Sequence, residues 1–140
     1  MLVRSVLVRA IIVGIAGGVL TSLIAWSPFI PDPLAFYSVS LAVIGAIYIG
    51  FAFSDGRLSI VILELLVATA FVVLALLGLW LAPAFVAAGL ILHGVWDLWH
   101  RPRGITTKLP SWYPPFCAAF DFVFAGVFLI FARELASRAP

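Results

Sequence analysis

Charge is what this sequence has least of. Asp, Glu, Lys and Arg make up 10% of its 140 residues against 65% hydrophobic ones, and the mean hydropathy is +1.25. A water-soluble domain of this size cannot hide that much apolar surface, so the composition requires an integral membrane protein. With Cys117 as its single cysteine, the chain cannot form an internal disulfide, and cysteine usage says nothing about redox compartment. There is no basic run of the kind that binds nucleic acid. The alternation of a membrane barrel is also missing, so the spanning elements must be helices. Low-complexity segments and clear repeats are lacking too, and the connections are short. Any function therefore belongs inside the bundle or on its rim.

What is present divides into five apolar stretches. The expected architecture is an all-α bundle of five transmembrane helices forming one domain over residues 1–140, with spans at about 5–26, 34–54, 58–80, 83–100 and 112–134. Arg4 and Arg9 precede an apolar run from Ala10 to Ala25. That run is longer than a signal-peptide core and is followed by no small-x-small cleavage site, so it reads as a helix that stays. Pro28, Pro31, Asp32 and Pro33 mark the first turn, and Asp55 with Gly56 marks the second. Pro83 starts span four, and Ser111, Pro114 and Pro115 start span five. With a cytoplasmic N-terminus, Arg4, Arg9, Arg57, Arg101, Arg103 and Lys108 face inward and only Arg133 and Arg138 face outward, the bias that sets topology. Trp26, Tyr37 and Trp80 would then anchor the outer interface, and Trp96, Trp99, Trp112 and Tyr113 the inner one. Gly14 and Gly18 form a G-x-x-x-G, and Ala84 with Ala88 a weaker small-x-x-x-small pair. Both suit close helix approach and identify no partner.

The polar residues concentrate between His93 and Asp121. His93, Asp97 and His100 are spaced i, i+4, i+7 on one helix stripe, and Cys117 and Asp121 repeat the i, i+4 spacing on the next helix. Glu64, seven residues after Arg57, is expected about 10 Å deep at 1.5 Å per residue, level with His93. An ionised carboxylate at such depth costs about 2.5–3.5 kcal/mol, so Glu64 and Asp121 must be neutral, paired or bound to a cation. Carboxylates, an imidazole and a thiol converging from three helices suit a divalent transition metal, zinc or iron, and do not suit calcium. The candidate ligands are His93, Asp97, Asp121, Glu64 and Cys117. Glu64 would alternatively serve as general base, with His100 as a proton shuttle beside the ion.

Plainer readings stand beside these. Asp97 with Arg101 would make a rim ion pair, Asp55 with Arg57 would shape a turn, Cys117 would fill the core, and His100 beside Trp99 would anchor an interface. Taken together, the polar set would be a metal site, a structural knot, or a proton or cation pathway. The pathway needs an outward continuation, for which spans three to five offer little beyond Thr69.

Glu64, then H-x-x-x-D-x-x-H as HGVWDLWH, then C-A-x-x-D as CAAFD, resemble the motifs of an uncharacterised family of small bacterial integral membrane proteins, a domain of unknown function. The resemblance covers roughly residues 48–125. The family pattern has a further histidine where Arg101 stands and a further cysteine where Phe120 stands. It implies a bacterial inner-membrane location and no particular activity. More loosely, the His and Asp near the cytoplasmic leaflet are similar to those of multi-span zinc hydrolases of the alkaline ceramidase and adiponectin receptor type, which have seven spans and a motif serine that has no counterpart here.

The sequence thus predicts a metal-binding bundle acting on a lipid or other hydrophobic substrate, as a hydrolase or an oxidoreductase. Its rivals are a proton or cation pathway and an accessory subunit with a buried polar network. The lipid bilayer is the expected partner, and assembly into a homo-oligomer or a larger membrane complex is left open.

Overall fold

The computed structural model describes residues 2–100 and 107–138, with side chains from 4 to 100 and from 107 to 132. Five helices follow one another: α1 (Leu2–Ala25), α2 (Pro33–Asp55), α3 (Leu58–Trp80), α4 (Ala84–Trp99) and α5 (Tyr113–Arg138). No strand occurs among the described residues. The helix boundaries have local causes. At the start of α2 the Asp32 side chain accepts from the Ala35 N–H at 3.0 Å while Pro33 fills the first helical position. At its end Gly56 takes φ 79°, the left-handed conformation that costs glycine nothing, and its N–H closes on the Ala52 carbonyl. Asp55 then receives both the Arg57 guanidinium, at 2.5 and 2.9 Å, and the Lys108 backbone N–H at 3.0 Å. Hydrogen bonding to Asp55 holds the Arg57 guanidinium above its ordinary pKa, so the pair remains ionic. The turn reading of Asp55 is therefore joined by a second task, tying down the start of the segment that leads into α5.

Four helices are long and apolar enough to cross a membrane: Arg4–Ala25, Pro33–Asp55, Leu58–Trp80 and Tyr113–Ala132. The fourth expected span falls short. With 16 residues α4 is about 24 Å long, against about 30 Å of hydrocarbon. Its apolar pattern runs on to Trp99, but the backbone leaves the helix at His100, where ψ is 34°.

Contacts between side chains fix the directions. Gly45 meets Phe71, Gly78 meets Val86, and Gly94 meets Phe122, so α2–α3, α3–α4 and α4–α5 are antiparallel neighbours. Helix α1 packs along α5 in parallel: Gly14 lies against the Phe116 carbonyl and Ala119, and Gly18 against the Phe120 carbonyl and Val123. A side chain at either glycine would strike backbone, so the G-x-x-x-G serves an internal helix pair. Ala84 and Ala88, the weaker pair, are exposed.

The apolar core lies toward the end of the bundle where α1 turns into α2. Tyr37 is fully buried there, stacked on Phe124 with ring centroids 4.0 Å apart and touching Phe128 at 4.7 Å. It is a core residue and not the interfacial anchor the sequence suggested. Leu41, Phe71, Val86, Leu90 and Phe124 complete this core. They separate the polar site described next from the far end of the bundle.

Candidate functional site

The site occupies the half of the bundle nearest the α2–α3 turn, and all four inner helices contribute to it. Helix α4 brings His93, Asp97 and His100, α3 brings Glu64, α5 brings Cys117 and Asp121, and α2 brings Tyr48. Each is buried: Asp97 and Asp121 are 0% exposed, Glu64, His93 and Tyr48 1%, His100 6% and Cys117 7%. No charged partner other than these residues reaches them among the described residues. In hydrocarbon such a set survives only if its members satisfy one another or hold an ion.

They divide into two groups. The first is His93, Asp97 and Asp121, whose potential ligand atoms all lie within 4.8 Å of one another. Nδ1 of His93 stands 2.6 Å from Oδ2 of Asp121 and 3.6 Å from Oδ2 of Asp97. Oδ1 of Asp97 accepts a hydrogen bond from the Tyr48 hydroxyl. Three atoms of the group have no partner outside it, Nε2 of His93, Oδ2 of Asp97 and Oδ1 of Asp121, and the two carboxyl groups are close enough to share a proton with each other. The His93 ring meets Phe71 edge-on at 4.9 Å, so its orientation is set by packing as well as by the carboxylates.

The second group is Glu64, His100 and Trp96. Nε2 of His100 lies 2.8 Å from Oε1 of Glu64, and the Trp96 indole N–H donates to Oε2 of Glu64 at 3.3 Å. Nδ1 of His100 is 2.9 Å from the Trp96 carbonyl. A carbonyl only accepts, so Nδ1 carries a proton, and one further proton must lie between Nε2 and Glu64. Whichever of the two holds it, the pair is neutral overall.

These positions revise the depth reading. His93 is level with Phe71 rather than Glu64, and Glu64 is level with His100. Helix α4 ends at Trp99, within a residue of the expected end, yet His100 at its terminus lies buried inside the bundle against Glu64 instead of on the rim. Glu64, with both oxygens engaged, lies outside the triad. Cys117 is a buried free thiol facing Tyr113, one turn before Asp121, and is also outside the triad. The suggested Asp97–Arg101 ion pair, together with Arg103, lies outside the described residues. Asp97 itself is engaged by Tyr48.

Tyr48 is the residue that sequence reasoning missed. It stands seven residues before Asp55, as Glu64 stands seven after Arg57. The same depth arithmetic, applied to tyrosines as well as ionisable groups, places it at the depth of Glu64 but does not mark it as a partner of Asp97. Trp96, expected only at the inner rim, is half-buried and is a donor to Glu64.

Chemically, the triad offers two carboxyl groups and an imidazole that meet mainly one another in a dry setting. Ligands at about 2.0–2.2 Å in a tetrahedron stand roughly 3.3–3.6 Å apart. The His93–Asp97 edge already has that length. The shorter His93–Asp121 edge has the length of a hydrogen bond with a proton in it, and would open by under about 1 Å around an ion.

Neither a curated protein nor a solved structure matches the chain. A protein-family match does exist and is wider than the stretch that carries the motifs, running over residues 5–134 and holding every residue of both polar groups. The chain therefore belongs to that family, a family of unknown function designated DUF6010.

Proposed function

We propose that the protein binds a divalent transition metal, zinc or iron, at His93, Asp97 and Asp121 within the membrane and uses it on a lipid or other hydrophobic substrate. The observation that carries this reading is that His93, Asp97 and Asp121, all fully buried, bring potential ligand atoms within 4.8 Å of one another, with Oδ2 of Asp97 and Oδ1 of Asp121 meeting no partner outside the triad. Two carboxylates and a neutral imidazole carry two negative charges, which one divalent ion cancels. Neutrality is the state a low-dielectric interior favours. Nitrogen and oxygen donors with geometry for few ligands suit zinc or iron better than calcium or magnesium.

When bound, the ion would supply Lewis acidity and a lowered pKa for a coordinated group. The chain's own contribution is positional. Glu64 and His100 hold one mobile proton next to the triad, in reach of general acid–base use. An apolar groove of about 370 Å³ between α3 and α4 runs alongside, walled by Phe71 and Trp96 among others. Phe71 touches His93, and Trp96 touches Glu64. A hydrocarbon chain in this groove would lie one side chain away from both polar groups, which supports a hydrophobic substrate. In this reading α4 is a fifth, short crossing, the N-terminus is cytoplasmic and the site opens toward the cytoplasm.

Elemental analysis of detergent-purified protein, made without added metal or chelating resin, tests the metal. About one equivalent of zinc or iron is expected in wild type, lost in both His93→Ala and Asp121→Ala. Folded wild type that holds no metal, even after reconstitution with either ion, would overturn the proposal and leave the His93–Asp121 contact as a structural knot. Lipid hydrolysis and oxidation assays on metal-loaded and metal-stripped protein then test the substrate class.

A further inference from the structure

We infer that Tyr48 is a positioning residue that makes Asp97 a one-oxygen ligand and so keeps the coordination number of the bound ion low. The inference rests on the metal-site reading above and adds to it the device that would leave the ion an open position.

The argument begins with what a carboxylate can do. Next to a divalent ion it binds through one oxygen or through both, and the two-oxygen mode fills a coordination position that a substrate would otherwise take. Which mode is adopted depends on whether the second oxygen is already engaged. In Asp97 it is: Oδ1 accepts the Tyr48 hydroxyl, while Oδ2 has no partner outside the triad and faces Nδ1 of His93 at 3.6 Å.

The aim of that hydroxyl is determined several times over. The Tyr48 ring stacks on His100 with centroids 4.3 Å apart and planes 16° from parallel. His100 is itself pinned at both nitrogens, by Glu64 and by the Trp96 carbonyl. Phe51 and Tyr113 flank the ring, with centroids 6.5 and 6.1 Å away. Tyr48 is 1% exposed, so no solvent competes for its hydroxyl. The Glu64–His100 pair therefore acts on the triad at a distance, by fixing the ring whose hydroxyl fixes Asp97. Partners that orient a metal ligand in this way commonly govern affinity and geometry nearly as strongly as the ligands do.

The experiment compares wild type and Tyr48→Phe loaded with Co²⁺ in place of the native ion. The substitution removes one oxygen and keeps the ring, so the stacking on His100 survives. Wild type should give the intense visible absorption of four-coordinate cobalt. In Tyr48→Phe, Oδ1 is released to the ion, the band should weaken toward the five-coordinate pattern, and Co²⁺ affinity should fall by about 10–100-fold. An unchanged spectrum and affinity in Tyr48→Phe would overturn the inference. Wild type that binds neither cobalt nor zinc would instead overturn the metal reading. The Tyr48–Asp97 contact is then read separately in the metal-free protein, from the infrared carboxyl band that Asp97→Asn removes. That band should shift in Tyr48→Phe, and a band that does not move would refute the contact itself.

Discussion

Glu64 and His93 look interchangeable in a list of polar residues, yet their surroundings assign them different work. Glu64 has a hydrogen-bond partner on each oxygen, so Glu64→Ala strands polar groups of both His100 and Trp96. The expected cost is about 1–3 kcal/mol for each buried group left unpaired, measured as thermal unfolding in detergent, with metal content unchanged. Glu64→Gln keeps a carbonyl acceptor and should cost less. Folded Glu64→Gln protein that takes up no metal even at saturating zinc or iron, a loss beyond the about 10–100-fold of an orienting partner, would return Glu64 to the ligand set. Cys117→Ala likewise should retain the metal, since the thiol faces Tyr113 outside the triad. His93, Asp97 and Asp121 were legible in the sequence because charged or imidazole side chains in hydrocarbon need a reason to be there. Tyr48 was not, because tyrosine reads as an ordinary membrane aromatic until its neighbours are known.

Among the helices, the boundaries were readable because proline, glycine and a capping aspartate carry their own local geometry. Partnership was not. The G-x-x-x-G of α1 announces a face for close approach but does not say that Phe116, Ala119 and Phe120 on α5 fill it. The bounds of α4 were legible to within a residue, but that His100 at its end turns inward to Glu64 was not. A test at this scale contrasts two glycines. Gly18→Val drives a side chain into the Phe120 carbonyl and should destabilise by about 1–3 kcal/mol. Gly50→Ala enters open space on α2 and should be neutral or stabilising by up to about 1 kcal/mol. Thermal unfolding of the two variants in the same detergent checks both, and equal effects would argue against the α1–α5 contact.

For the molecule as a whole, orientation is the property to test. Asp32 caps the start of α2 and Ser59 lies in the first turn of α3, at opposite ends of the bundle; both are exposed, while the native Cys117 is buried. In intact cells a membrane-impermeant maleimide should label Asp32→Cys at once and Ser59→Cys only after permeabilisation, with wild type labelled only on unfolding. The reverse pattern would invert the proposed topology. The parallel seating of α1 on α5 also has a consequence in time. Helix α1, made before the other four described helices, finds most of its neighbours on α5. Until Tyr113 and the residues after it have entered the bilayer, α1 must wait there as a lone helix, its glycines facing lipid. Closure of the bundle therefore waits for α5, and a chain that stops after α4 would have a His93 without Asp121 and an α1 with almost nothing to dock on.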